Sequence, residues 1–196
     1  MATAGQQPRI ELILAHEKHM AHQLALMVID KPNPPFWMTF VPMFLIFYTQ
    51  KFKEYARDVE SFVVGYLQPK EHALQAAMDV MSGSLDTDLD ALTQKAGHMP
   101  DQAKAPYRRY MSVLVKHYAR LLSSQGGTIE EIYRHVYERK SGFQRFCDRL
   151  NAAEEEYNLA LLPQIDDDQD HVLAVIRKIN ASAAEVRRRQ FETIFS

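Results

Sequence analysis

The 196-residue sequence is poor in cysteine and glycine, and each shortage excludes a class of protein. Cys147 is the only cysteine, which excludes an internal disulfide and a zinc site built from several thiolates. Seven glycines are too few for the many tight turns of an all-β fold. Residues 1–10 lack the basic-then-apolar pattern of a secretory signal. With a single cysteine, this pattern predicts a cytoplasmic protein.

The sequence also has no large excess of positive or negative charge. Lys and Arg total 23 against 25 Asp and Glu, and the formal charge is −2 at pH 7. This balance predicts no strong attraction to nucleic acid. The glycines form no phosphate-binding loop, and no nucleophile lies in a recognisable turn. We therefore expect no cofactor and no nucleic-acid partner, and an enzyme is the less favoured class of protein.

The sequence is rich in helical periodicity. Apolar residues recur at steps of three and four along most of the chain, the pattern of amphipathic helices. A capping box from Thr128 to Glu131 starts a long helix predicted to run to Pro163, in which Ser141 and Gly142 mark a weak point. The pattern predicts an all-α fold, an antiparallel bundle of about six to seven helices.

Three parts of the chain are expected to fold as one cooperative domain. An N-terminal helical hairpin over 1–68 precedes short helices over 69–100 and a three-helix C-terminal portion over 101–196. The second helix of the hairpin is predicted over 36–67, with a kink at Pro42.

The most unusual stretch, which we name the apolar segment, is 36–48, where no residue is charged. Its aromatic residues are Phe36, Trp37, Phe40, Phe44, Phe47 and Tyr48. As a helix it would extend about 20 Å, less than the ~30 Å hydrocarbon core of a bilayer. Three interpretations stay open: contact with a membrane surface, burial in the core of the bundle, and docking on a partner protein or a second copy of the chain.

Three polar residues interrupt apolar stripes: Glu17, His117 and Arg139. A buried charge is costly unless it is paired, so we predict that they meet in a buried polar layer that fixes the register of the helices. The alternatives are edge positions that reach solvent, and a catalytic or metal site.

Histidines in the first helix raise the question of a metal. Side chains six positions apart on a helix point about 120° apart, so His16, His19 and His22 cannot all reach one ion. Two of them could, and the alternative metal set is His16, His19, Glu17 and His117. No Glu has a His three residues later, so the di-iron motif of helical bundles is missing.

These patterns favour a non-enzymatic binding or assembly protein. We expect it to dock through the apolar segment on a membrane surface, on a protein partner or on a second copy of itself. Its location would be the cytoplasm or the cytoplasmic face of a membrane. The alternative is a helical metal-binding protein or oxidoreductase that uses the metal set named above.

Overall fold

The computed structural model describes residues 7–32, 42–83, 88–97, 99–164 and 168–195, with backbone alone over 42–50 and at 52. Within these ranges the chain is all helical, with seven α-helices and no strand, which confirms the predicted helical bundle. The helices are α1 (Gln7–Val28), α2 (Pro42–Met81), α3 (Leu89–Lys95), α4 (Asp101–Ser123), α5 (Ile129–Tyr137), α6 (Lys140–Leu161) and α7 (Gln169–Phe195).

Helix α2 is longer than predicted, because it continues past residue 67 to Met81. Its described part starts at Pro42, and the residues before it lie outside the described ranges, so the kink at Pro42 stays a prediction. Pro69 lies inside the helix, where it removes one hydrogen bond. The buried residues Leu67 and Leu74 hold the chain to the core on both sides of Pro69. Tertiary packing therefore offsets the cost of the internal proline.

The predicted long helix from Thr128 is two helices. The capping box is present, with the Thr128 hydroxyl accepting from the Glu131 amide and the Glu131 carboxylate accepting from the Thr128 amide. Glu138, at φ 49°, then ends α5 in the left-handed region. Gly142 packs so tightly that a Cβ there would lie 2.9 Å from the carbonyl oxygen of Tyr137. The chain therefore breaks a few residues before the weak point seen in the sequence.

Helix α4 lies at the centre of the main core. It packs against α2, α3 and α6, and the side chains it buries include Tyr107, Tyr110, Met111, Leu114, Tyr118 and Leu121.

Helix α1 lies between α2 and α7. Ala21 and Ala25 are fully buried and allow close approach of the α2 residues Val59, Val63 and Leu67. Met20 and Leu24 face Ala183 and Val186 of α7. This arrangement brings polar residues of α1, α2, α6 and α7 together in one interior layer.

Candidate functional site

The interior layer contains a buried ion pair between α1 and α2. Glu17 is 8% exposed and Lys70 is 6% exposed. The Lys70 ammonium donates to Glu17 Oε2 at 2.7 Å. Burial alone raises the pKa of Glu17, but the adjacent Lys70 charge outweighs it and holds that pKa at about 2. Both groups are therefore charged at neutral pH.

A second buried ion pair lies between α6 and α7. The Arg187 guanidinium donates to the Glu154 carboxylate and to the side-chain oxygen of Asn151. It also donates to the Tyr66 hydroxyl at 3.0 Å. The Lys70 ammonium lies 4.4 Å from the centre of the Tyr66 ring, so this one tyrosine connects the two ion pairs. The layer thus joins four helices through charged and aromatic contacts.

His117 lies beside this layer on α4 and is 3% exposed. Its Nδ1 is 2.7 Å from the Tyr137 hydroxyl and its Nε2 is 3.3 Å from the Tyr133 hydroxyl. The ring stacks on Phe146, with a centroid distance of 4.0 Å. Burial lowers the pKa of His117 to about 3, so the ring is neutral at pH 7. A neutral imidazole has one donor and one acceptor nitrogen, and each of them forms a hydrogen bond with one of the two tyrosine hydroxyls.

The structure buries Glu17 and His117 along one cavity but places Arg139 elsewhere. Arg139 is exposed and occupies the N-cap position of α6, where its side chain makes no capping hydrogen bond. Its prediction as a buried residue is wrong, because it assumed an unbroken helix through Glu138. The cations of the layer are Lys70 and Arg187.

Sequence reasoning missed Lys70 for a related reason. Once α2 is extended through Pro69, Lys70 falls on the buried stripe of Val63, Leu67 and Leu74 at steps of four, three and four. Arg187 likewise follows the buried Ala183 by four residues in α7.

A small cavity of about 30 Å³ lies inside the layer. Polar groups of His16, Glu17, Lys70, His117, Tyr133, Arg187 and Gln190 line it. A water molecule needs ~10–15 Å³ by this measure, so the cavity has room for about two or three waters and for no organic substrate. This size fits a structural role for the layer better than a catalytic one.

The alternative metal set is not assembled. In the part of the chain that the structure describes, no three His, Cys, Asp or Glu side chains come together in a way that could hold a metal ion. Glu17 is paired with Lys70. His16 bonds to Gln190, and His19 bonds to Gln23 on the surface.

Only part of the apolar segment lies within the described residues. Phe36, Trp37 and Phe40 lie outside the described residues. Phe44, Phe47 and Tyr48 belong to the first two turns of α2, of which the backbone alone is described. None of the helices in the described ranges has the length and apolar character needed to cross a membrane.

Comparison with known proteins gives no relative. No protein-family model, curated protein or solved structure matches the chain.

Proposed function

We propose that this chain is a peripheral membrane-docking protein that binds anionic lipid surfaces through the apolar segment, 36–48. The observation that carries the proposal is the exposure of the α2 side chains that follow the segment, since from 51 to 58 each described one is exposed except the half-buried Tyr55. The segment would lie in the headgroup region with its aromatic rings among the upper acyl carbons.

Among the described side chains of α2, burial begins at Val59. Tyr48 precedes Val59 by about 16 Å along a helix that rises 1.5 Å per residue. Helix α1 ends at Val28, and Ile29 and Tyr55 both pack against the buried cluster of Ala21, Ala25, Val59, Val63 and Leu67. The exposed stretch between the segment and Val59 supports docking of the segment on a surface outside the bundle.

The flanking charges favour a lipid surface over another protein. Lys31, Lys51 and Lys53 are exposed, and a basic residue near an anionic leaflet contributes ~1 kcal/mol to binding. Asp30, the acid next to Lys31, is already paired with Lys178 at 2.9 Å. Trp37 and Tyr48 near the two ends of the segment are the residues that membrane–water interfaces favour. Anionic lipid is concentrated on the cytoplasmic leaflet, which is where we propose that the protein docks.

The proposal is tested by flotation of the full chain with phosphatidylcholine vesicles, with and without phosphatidylserine. We expect the wild type to float with the anionic vesicles. The double variant F40S/F44S should remain in solution while its circular dichroism spectrum is unchanged. The matched control is V64S, which removes an apolar side chain from α2 at a position 60% exposed, and it should float like the wild type.

The charge requirement needs a separate variant. K51E/K53E should float less than the wild type on anionic vesicles, and the difference should disappear at high salt.

Other outcomes would contradict membrane docking. If wild type fails to float but F40S/F44S changes its sedimentation velocity, the segment mediates self-association. If F40S/F44S unfolds the protein, the segment belongs to the core.

A further inference from the structure

A second and larger pocket, of about 360 Å³, lies between α2, α4 and α6. Its size is that of small-molecule sites. Five aromatic side chains line it: Phe62, Tyr66, Tyr107, Tyr110 and Tyr157. Tyr110 and Tyr157 are stacked with centroids 6.0 Å apart, and the Tyr107 ring lies 5.1 Å from Tyr157 at an angle of 54°. Aromatic rings therefore make up much of the lining of this pocket.

One wall of this pocket is formed by α2, where a glycine and a proline leave a backbone carbonyl without its helical hydrogen bond. Gly65 and Pro69 both line it and lie one helical turn apart. Pro69 has no N–H, so the carbonyl oxygen of Gly65 lacks the donor that an α-helix normally supplies. A Cβ at Gly65 would meet no atom within 4 Å, and Gly65 is exposed, so its side-chain position is open. The wall thus has, on one residue, a carbonyl without its helical donor and an open side-chain position.

The other polar groups of the pocket are tyrosine hydroxyls, the amides of Gln68 and Asn158, and one carboxylate. Among the described residues, no Lys or Arg side chain lines it, and the carboxylate, Glu154, is paired with Arg187. The Nδ1 atom of His72, also in the wall, is buried without a hydrogen-bond partner among the described residues. Burial raises the pKa of Tyr66 and of Tyr107 to about 12, so these phenols are neutral at pH 7. Rings with negative faces beside the Gly65 carbonyl, which lacks its helical donor, suit a positively charged guest.

We infer that this aromatic pocket binds a small organic cation, an ammonium group with an apolar substituent. Ring faces would hold the charge by cation–π attraction, and the Gly65 carbonyl would accept an N–H bond from the ammonium. The inference uses none of the residues of the apolar segment, so it stands or falls independently of membrane docking.

Three probes of similar shape and different charge test the inference by calorimetric titration of the full chain. They are phenethylamine, which is cationic, 2-phenylethanol, which is neutral, and phenylacetate, which is anionic. We expect phenethylamine to bind about tenfold more tightly than 2-phenylethanol, the size of a partly desolvated cation–π contact. Phenylacetate should not bind. Equal affinity for the cation and the alcohol, or no binding by phenethylamine, would overturn the inference.

A pocket-filling variant locates the site. Gly65→Leu places a side chain in the open space and improves helix propensity, so the melting temperature should be unchanged or higher. Phenethylamine affinity should fall at least tenfold. The matched control is Val64→Leu, a neighbouring position on the exposed face, which should bind like the wild type. If Gly65→Leu folds and binds phenethylamine normally, the cation does not occupy this pocket.

Discussion

Removal of Glu17 should reveal how strongly the buried layer depends on charge pairing. In Glu17→Ala the Lys70 ammonium, 6% exposed, loses the carboxylate 2.7 Å away and stays in a protein interior. Breaking a buried pair from one side costs about 3–5 kcal/mol, because a charge is left without a partner. At roughly 2–4 °C per kcal/mol for a chain of this size, the melting temperature should fall by about 6–20 °C.

Urea unfolding of three variants tests this reasoning. Glu17→Ala should lower the midpoint strongly, whereas the double variant Glu17→Leu with Lys70→Met should recover most of the loss, because no buried charge remains. The control is Glu156→Ala, which breaks an exposed ion pair with Arg109 and should leave the midpoint nearly unchanged. An unchanged midpoint in Glu17→Ala would mean that the layer is accessible to water and that pairing is not what holds it.

The remaining predictions concern His117 and three backbone positions. Because burial lowers the pKa of His117 from 6.5 to about 3, the unfolded chain binds a proton in this window that the folded chain does not, and stability should fall as the pH falls from 6.5 towards 3. His117→Gln should flatten that part of the curve in urea unfolding measured at a series of pH values. Pro69→Ala restores a helical N–H for the Gly65 carbonyl and should stabilise the fold by ~1–2 kcal/mol in a thermal melt. Gly142→Ala should destabilise by about 1–2 kcal/mol, since its Cβ would meet a backbone oxygen at 2.9 Å, whereas Gly65→Ala should raise the melting temperature.

Local sequence patterns predicted a helix end well where interactions between residues close in sequence determine it. The capping box at Thr128 is an example, because its two hydrogen bonds involve residues only three apart. The course of α2 through Pro69 was not predictable in this way. The local cost of an internal proline is real, and packing of residues distant in sequence offsets it.

The buried layer shows the same limit. Glu17 was recognisable from its apolar helical neighbours, but its partner Lys70 lay beyond the end assigned to α2. The apolar stripe that includes Arg139 in the sequence is interrupted in the structure, because Glu138 adopts a positive φ and ends α5. Side-chain periodicity identifies a buried polar residue, whereas the identity of its partner depends on the tertiary arrangement of helices far apart in the chain.

The fluorescence of Trp37 tests membrane docking most directly, because it is the only tryptophan and lies inside the apolar segment. Phosphatidylserine-containing vesicles should shift its emission to shorter wavelength, protect it from aqueous iodide and expose it to quenching by brominated lipid. An emission spectrum unaffected by vesicles, or already blue-shifted and protected from iodide without lipid, would contradict membrane docking.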